Sequence, residues 1–360
     1  MSASVVVGQP DFVSDPVSFP AQDKLSQGVQ GGVIVGSKLI VSDQLDHRVL
    51  IFNEIPQVNG SPASIVLGQP DFVSSTCNNG GKSAHTLCHP VGLTTDSEKL
   101  IIADRNNNRV LVFNSVPSNN QADADIVIGQ PDFSSNKANQ GLSAPTNRTL
   151  WQPEGVFYDG DKLFIADSGN NRVLVFNDIP TENNAAADMV LGQPDFNTKD
   201  INHGGIGPSS MSYPSSVFSN QKILLVADTN NHRVIVWNSF PTYNNQPADI
   251  VIGQENFFSN SANQGSSLSG ANTLKTPVYV YLKGNNIFIS DLGNHRVLIF
   301  NSLPNSHNSS ADAVLGQPDI DTRMVNYEGR TSRTMGQPCF SFVDGNKLYI
   351  GDEVNRRVLI

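Results

Sequence analysis

The commonest chemistry-bearing pattern in the chain is an Asp followed five residues later by an Arg. It occurs at Asp43/Arg48, Asp104/Arg109, Asp167/Arg172, Asp228/Arg233, Asp291/Arg296 and Asp352/Arg357. Taken singly, Asp167 and Asn170 would suit a calcium loop, because hard cations take carboxylate and amide oxygens. Three of the segments carry a His just before the Arg, His47, His232 and His295, and three imidazoles would suit zinc. Cys77 and Cys88, with His85 and His89 close by, allow a disulfide, free thiols or a zinc site, ranked in that order. Zinc comes last because adjacent Cys88 and His89 point opposite ways along an extended chain. A disulfide there would stabilise by about 3 kcal/mol through loop entropy. It would belong to an oxidising compartment, so the expectation is a secreted or periplasmic protein with any signal peptide removed. Cys339 has no base beside it in sequence and reads as a small buried apolar residue rather than a nucleophile.

A repeat positions these residues. Gly-Gln-Pro-Asp-Phe, or a near copy, begins at Gly8, Gly68, Gly129, Gly192, Gly253 and Gly316, so two landmarks each recur six times at intervals of 60–63 residues. Such periodicity marks a repeat architecture, and with no linker or composition shift residues 1–360 read as one domain. In the third unit, Gly155–Tyr158, Lys162–Ala166, Arg172–Phe176 and Asp188–Leu191 read as four short strands. The run Val173-Leu174-Val175-Phe176 is apolar without alternation, as in a strand buried on both faces. Small sheets covered on both faces by copies of themselves stack radially. The expected fold is therefore all-β, a six-bladed β-propeller of four-stranded blades. Ser4–Val7 reads as a fourth strand and Arg357–Ile360 as a third, so the N-terminal strand should close the last blade and remove an open edge.

A residue present in every blade solves a problem every blade has. The repeated Asp, Asn and Arg are accordingly read as scaffold, with Pro-Asp turning the chain and Phe anchoring it. The three His fall on blades one, four and five, too far apart to converge on one ion.

Asp167-Ser168-Gly169-Asn170-Asn171-Arg172-Val173-Leu174-Val175-Phe176, preceded by Pro153-Glu154-Gly155-Val156, resembles the NHL repeat of six-bladed propellers. The Gly-Gln-Pro-Asp-Phe segments resemble those of a bacterial NHL-repeat group. The resemblance covers all six units and implies the fold. It implies several functions, since NHL-type propellers serve as protein-binding, RNA-binding or, in a few cases, metal-dependent lyase domains, and fold alone does not choose among them.

Composition narrows the choice. The net charge is −10, 16% of residues are charged, and no patch interleaves basic and aromatic residues, which disfavours nucleic acid as a partner. No apolar run approaches the ~20 residues that span a bilayer, and the chain is expected to be a monomer. A site must break the six-fold symmetry, and the long segments leading into each first strand do so. Aligned on the repeat, one ring just before the usual Pro is Gly28, His89, Gln152, Tyr213, Thr276 and Gln337. A second, just after it, is Gln30, Val91, Glu154, Ser215, Val278 and Cys339. Trp151 lies beside them, whereas Trp237 replaces a core Phe.

The expected ligand site is thus the channel mouth on the long-loop face, with Trp151, Gln152, Glu154, Tyr213, His89 and Gln337. Its rings and amides suit a carbohydrate, peptide or protein partner without catalysis. The alternative is a metal-dependent lyase or hydrolase with a divalent cation, calcium or zinc, on the axis, for which Glu154 and His89 are the candidate ligands. A single carboxylate makes such a site weak.

Overall fold

The computed structural model of the chain describes residues 1–14 and 19–360. Its strands form six four-stranded antiparallel sheets arranged as the blades of a propeller. Blade three comprises Pro153–Tyr158, Leu163–Asp167, Arg172–Phe176 and Met189–Leu191, paired in sequence order from the axis outward. Its third strand shows why that run is apolar throughout. Leu174 and Phe176 join a cluster with Val110 and Val112 of blade two. Val173 and Val175 join one with Ile235 and Trp237 of blade four. Each face of the sheet is covered by a neighbouring sheet, so neither parity of side chain meets water.

The last blade is closed by the N-terminus. Val6 and Val7 pair with Leu359 and Val358, and the Ile360 N–H donates to the Val5 carbonyl at 3.0 Å. Val5 and Val7 then pack with Leu39 and Val41 of blade one, which completes the ring.

The Asp–Arg pairs form a lock inside every blade. In blade three both side chains are fully buried, and Arg172 Nε meets Asp167 Oδ2 at 2.8 Å. The same carboxylate accepts from Asn170 Nδ2 at 2.7 Å and from the Trp151 N–H at 2.7 Å. Arg172 also donates to the carbonyls of Phe196 at 2.6 Å and of Thr146 and Thr149 at 2.9 Å. One guanidinium therefore holds the Gly-Gln-Pro-Asp-Phe loop and the approach to the first strand together. Gln193 adds bonds to the Asn171 carbonyl at 3.1 Å and the Asp200 carbonyl at 2.8 Å. Gly192 opens this loop at φ +87, where a Cβ would lie 2.8 Å from the Met211 sulfur, so only glycine fits.

The residue before each Arg sits in the left-handed region, with φ between 51 and 56 for His47, Asn108, Asn171, His232, His295 and Arg356. Asn and His tolerate that conformation better than most side chains. In four blades the side chain also ties to the next blade. Asn108 and Asn171 accept from the N–H groups of Gln152 (2.8 Å) and Tyr213 (2.9 Å). His47 and His232 accept through Nδ1 from those of His89 (3.2 Å) and Thr276 (3.1 Å). His47 and His232 are thus inter-blade acceptors in the place that Asn takes in blades two and three, whereas His295 Nδ1 lies against the Gly336 carbonyl.

A further device covers the outer edges. In five blades the middle residue of the fourth strand is held by a clip. For Val127 the N–H donates to Asn183 Oδ1 at 2.9 Å, while its carbonyl accepts from the Asn184 N–H at 2.8 Å. Val6, Val66, Val190 and Val251 are held likewise by Asn59-Gly60, Asn120-Gln121, Asn244-Asn245 and His307-Asn308. Each clip comes from the loop between the third and fourth strands of the adjacent blade.

Candidate functional site

The axis is lined by the first strands, and each of these begins with a register shift: between Pro153 and Val156 in blade three, Pro214 and Ser216 in blade four. A bulge re-aims the extra side chain. Here it turns the residue after the Pro toward the channel, and all six members of the second ring line one axial cavity of about 390 Å3. Blades two and three approach their neighbours so closely that a Cβ on Gly92 would lie 2.6 Å from the Glu154 carbonyl, and one on Gly155 2.7 Å from that of Ser215. In blades five and six Tyr279 and Phe340 occupy that position. The result is a lopsided channel. Tyr279, Gly32 and Leu93 form its waist, beyond which Phe157, Phe218, Tyr281 and Phe342 line the opposite mouth.

Of the first ring, Tyr213 and Thr276 line the cavity. His89, Gln152 and Gln337 stand half-buried outside it, and Trp151 is exposed beside it with Lys199 Nζ 5.8 Å from its ring. The structure thus brings Glu154 and Tyr213 together and leaves the other four candidates at the rim. It also adds a third ring that the alignment passed over, the residue after each repeated Asp, from which Gln44, Arg105, Thr229 and Leu292 face the cavity. The signal was available, since those positions vary from blade to blade as much as the chosen rings. They were absorbed into a segment read as scaffold.

Arg105, Glu154 and Tyr213, from blades two, three and four, close a triangle. Arg105 Nε lies 2.6 Å from Glu154 Oε1, Arg105 Nη2 donates to the Tyr213 hydroxyl at 2.8 Å, and that hydroxyl donates to Glu154 Oε1 at 2.7 Å. Burial opposes the Arg105 charge, but Glu154 and Tyr213 outweigh it and raise its pKa. Burial, then the Glu154 charge, raises that of Tyr213 and keeps its proton in place. Across the mouth, burial raises the pKa of Glu353, a Gln30 hydrogen bond opposes this, and the charge of Glu154 adds to it. The mouth therefore presents the Arg105–Glu154–Tyr213 groups of blades two to four, the Glu353 and Gln30 pair of blades six and one, and the apolar Val278 and Leu292 of blade five.

No group of three His, Cys, Asp or Glu is arranged to hold a metal among the described residues. Cys77 and Cys88 form a disulfide, so their sulfurs are not available to an ion, and His85 pairs instead with Asp123 at 2.7 Å. His89 stacks obliquely on His47 with centroids 4.6 Å apart, and burial followed by the Arg105 charge lowers its pKa. Cys339 is buried with its sulfur against the Val29 carbonyl. Burial pushes its thiol pKa up, which suits packing and not nucleophilic chemistry.

No curated protein is significantly similar to the chain. Among solved structures, an auxiliary nutrient binding protein from Bacteroides thetaiotaomicron superposes with a TM-score of 0.54 at 12% identity, over 98% of this chain and 75% of that one. A structural genomics protein of unknown function from the same organism gives 0.52 at 12% identity, over 99% and 74%. At such identities these likenesses concern the fold alone, and no helix is long and apolar enough to cross a membrane among the described residues. Residues 87–113 and 150–176 match the NHL repeat family, each stretch running from the approach to the first strand through the end of the third in blades two and three. The chain is a six-bladed β-propeller, two blades of which match the NHL repeat.

Proposed function

We propose that the chain is a non-catalytic binding module that takes a hydroxyl-rich ligand, a carbohydrate or a polar peptide, at the long-loop mouth of its channel. The observation that supports this is the lopsided cavity of about 390 Å3, whose wall holds both the Arg105–Glu154–Tyr213 triangle and the apolar Val278 and Leu292. A saccharide offers hydroxyls at its edge and C–H groups on its face, which match the two sides. The triangle is preassembled, so binding does not have to order it. Trp151, Gln152, His89 and Gln337 form the rim of the same site and meet ligands that extend past the cavity. The Gly-Gln-Pro-Asp-Phe segments ally the chain with bacterial-type NHL propellers. Among the described residues no group of three His, Cys, Asp or Glu placed to hold a metal includes Glu154, so the binding reading is the one favoured.

Glycan and peptide arrays on the wild type, Arg105→Ala, Glu154→Gln and Tyr213→Phe test this reading. Each variant should lose at least tenfold in affinity for a ligand the wild type retains. Trp151→Ala should weaken long ligands more than short ones. A wild type that binds neither class, or triangle variants that bind undiminished, would refute it.

A further inference from the structure

The third ring, the residue after each repeated Asp, reaches across to the next blade. Arg105 meets Glu154, and the hydroxyls of Ser168 and Thr229 donate to the carbonyls of Pro214 and Pro277, the latter at 2.8 Å. Glu353 is the sixth member of this ring. Its N–H donates to the Gln337 carbonyl at 3.0 Å, as the Gln44 N–H does to that of Gly28 at 2.7 Å, so the two hold equivalent places in blades six and one. Gln44 lines the axial cavity, and the Glu353 carboxylate accepts a hydrogen bond from Gln30, which lines it too.

Blades two and six thus make the same cross-blade contact, but only one of the two is balanced. Arg105 meets a carboxylate, whereas Glu353 meets an amide. The charges that act on Glu353 are those of Glu154 and Asp352, both negative. Each of these already has its own arginine, Arg105 at 2.6 Å and Arg357 at 2.8 Å. Arg105 is also the one cation in the cavity wall among the described residues. The mouth therefore carries a half-buried carboxylate that no cation balances. A second polar group is unmatched at the waist. The Tyr279 ring packs edge-on against Phe340, with 6.5 Å between centroids, and its hydroxyl has no hydrogen-bond partner among the described residues.

We infer that the ligand taken at this mouth is an amino sugar whose protonated amine sits between Glu353 and Gln30. The inference rests on the binding reading above and narrows it. Gln30 donates an amide N–H to Glu353, so its amide oxygen is left as a second acceptor for the ammonium. Burying a carboxylate without a counter-charge costs free energy, and an ammonium brought by a ligand offsets that cost through charge-assisted hydrogen bonds. Blade five, between this pair and Tyr213 of blade four, supplies Val278 and Leu292. A pyranose ring laid on them turns one edge toward blade six and the other toward the triangle. A lysine side chain would bring the same charge without hydroxyls for Arg105, Glu154 and Tyr213. A metal ion would find a single carboxylate, which makes a weak site.

The experiment titrates the 360-residue chain, by calorimetry near neutral pH, with a glucosamine trisaccharide, its fully N-acetylated counterpart and trilysine. The wild type should bind the glucosamine trisaccharide at least about tenfold more tightly than either of the others, and Glu353→Gln should abolish that preference. Equal binding of the two saccharides would overturn the inference and leave the binding reading standing. Equal binding of trilysine would overturn it as well, since that is attraction to an acidic surface. So would a wild type that binds neither saccharide, whereas the arrays with the triangle variants test the binding reading on their own. A preference that survives in Glu353→Gln would remove Glu353 from the site. The ligand comparison uses only the wild type, so it decides even if that variant fails to fold.

Discussion

Replacing Asp167 by Ala should destabilise the protein by about 3–5 kcal/mol. The carboxylate is fully buried and accepts three hydrogen bonds, from Arg172, Asn170 and the Trp151 amide, at 2.7–2.8 Å. At about 1 kcal/mol each, these bonds account for roughly 3 kcal/mol. The larger consequence is that Arg172, with no exposed surface, keeps its charge and has only the carbonyls of Phe196, Thr146 and Thr149 left as partners. An uncompensated buried charge brings the loss toward the upper end. For a chain of this length roughly 1–2 °C in Tm corresponds to each kcal/mol, so a fall of about 5 °C is expected. The double variant Asp167→Ala/Arg172→Met removes the stranded charge as well, and its cost should be clearly less than the sum of the two single costs. Calorimetry and denaturant midpoints on the four proteins make the measurement. A single variant with unchanged Tm, or strict additivity in the cycle, would refute the lock.

Three other outcomes follow from the same contacts. Burial lowers the pKa of His47 to about 4 and depresses those of His232 and His295, so between pH 6.5 and 4 the unfolded chain binds protons that the native one refuses, and stability falls as pH drops. Asp46, raised to about 7 by burial, works in the opposite direction, so the readout is the contrast: the double variant His47→Asn/His232→Asn should lose less Tm between pH 7 and 4.5 than the wild type, and an equal loss would contradict the acceptor role. Deleting residues 1–8 uncovers Arg357–Leu359 and the Val5 and Val7 packing, so the truncated chain should melt well below the parent, and an unchanged melting temperature would contradict ring closure. Replacing Cys77 and Cys88 by Ser opens an 11-residue separation and should cost about 3 kcal/mol by loop entropy, read as a Tm shift that reducing agent reproduces in the wild type.

The fold was legible because one solution is written six times. The apolar third strand requires cover on both faces, and a second copy of the same sheet is the only cover a repeat supplies. Closure followed from Ser4–Val7 and Arg357–Ile360 having the character of fourth and third strands. The acceptor of each clip, an Asn in four blades and His307 in the fifth, was not legible, because it lies in a polar stretch of the unit, where a side chain serving an edge looks like any loop residue. The inter-blade role of His47 was hidden for a related reason. Its partner is the backbone of His89, in the next unit, and sequence patterns list side chains rather than the amides they cap.

The channel mouth exposes a limit of reading a repeat ring by ring. Glu154 belongs to the ring after the Pro, Tyr213 to the ring before it, and Arg105 follows the scaffold Asp, so no single aligned column holds the site. Within its own column Glu154 has Val91 and Ser215 as neighbours, and a partly buried carboxylate between them would be poorly compensated. It is tolerable because Arg105 of the preceding blade and Tyr213 of the following one reach the same oxygen, Oε1. Each departure from the repeat therefore makes sense only with the other two, which is the pattern expected of a preorganised site. Residues that merely plug a channel need only fit their own blade. Coupling between Arg105→Ala and Tyr213→Phe in a double-variant cycle of ligand affinity would separate the two readings, because a site acting as a unit gives losses that fall short of additive.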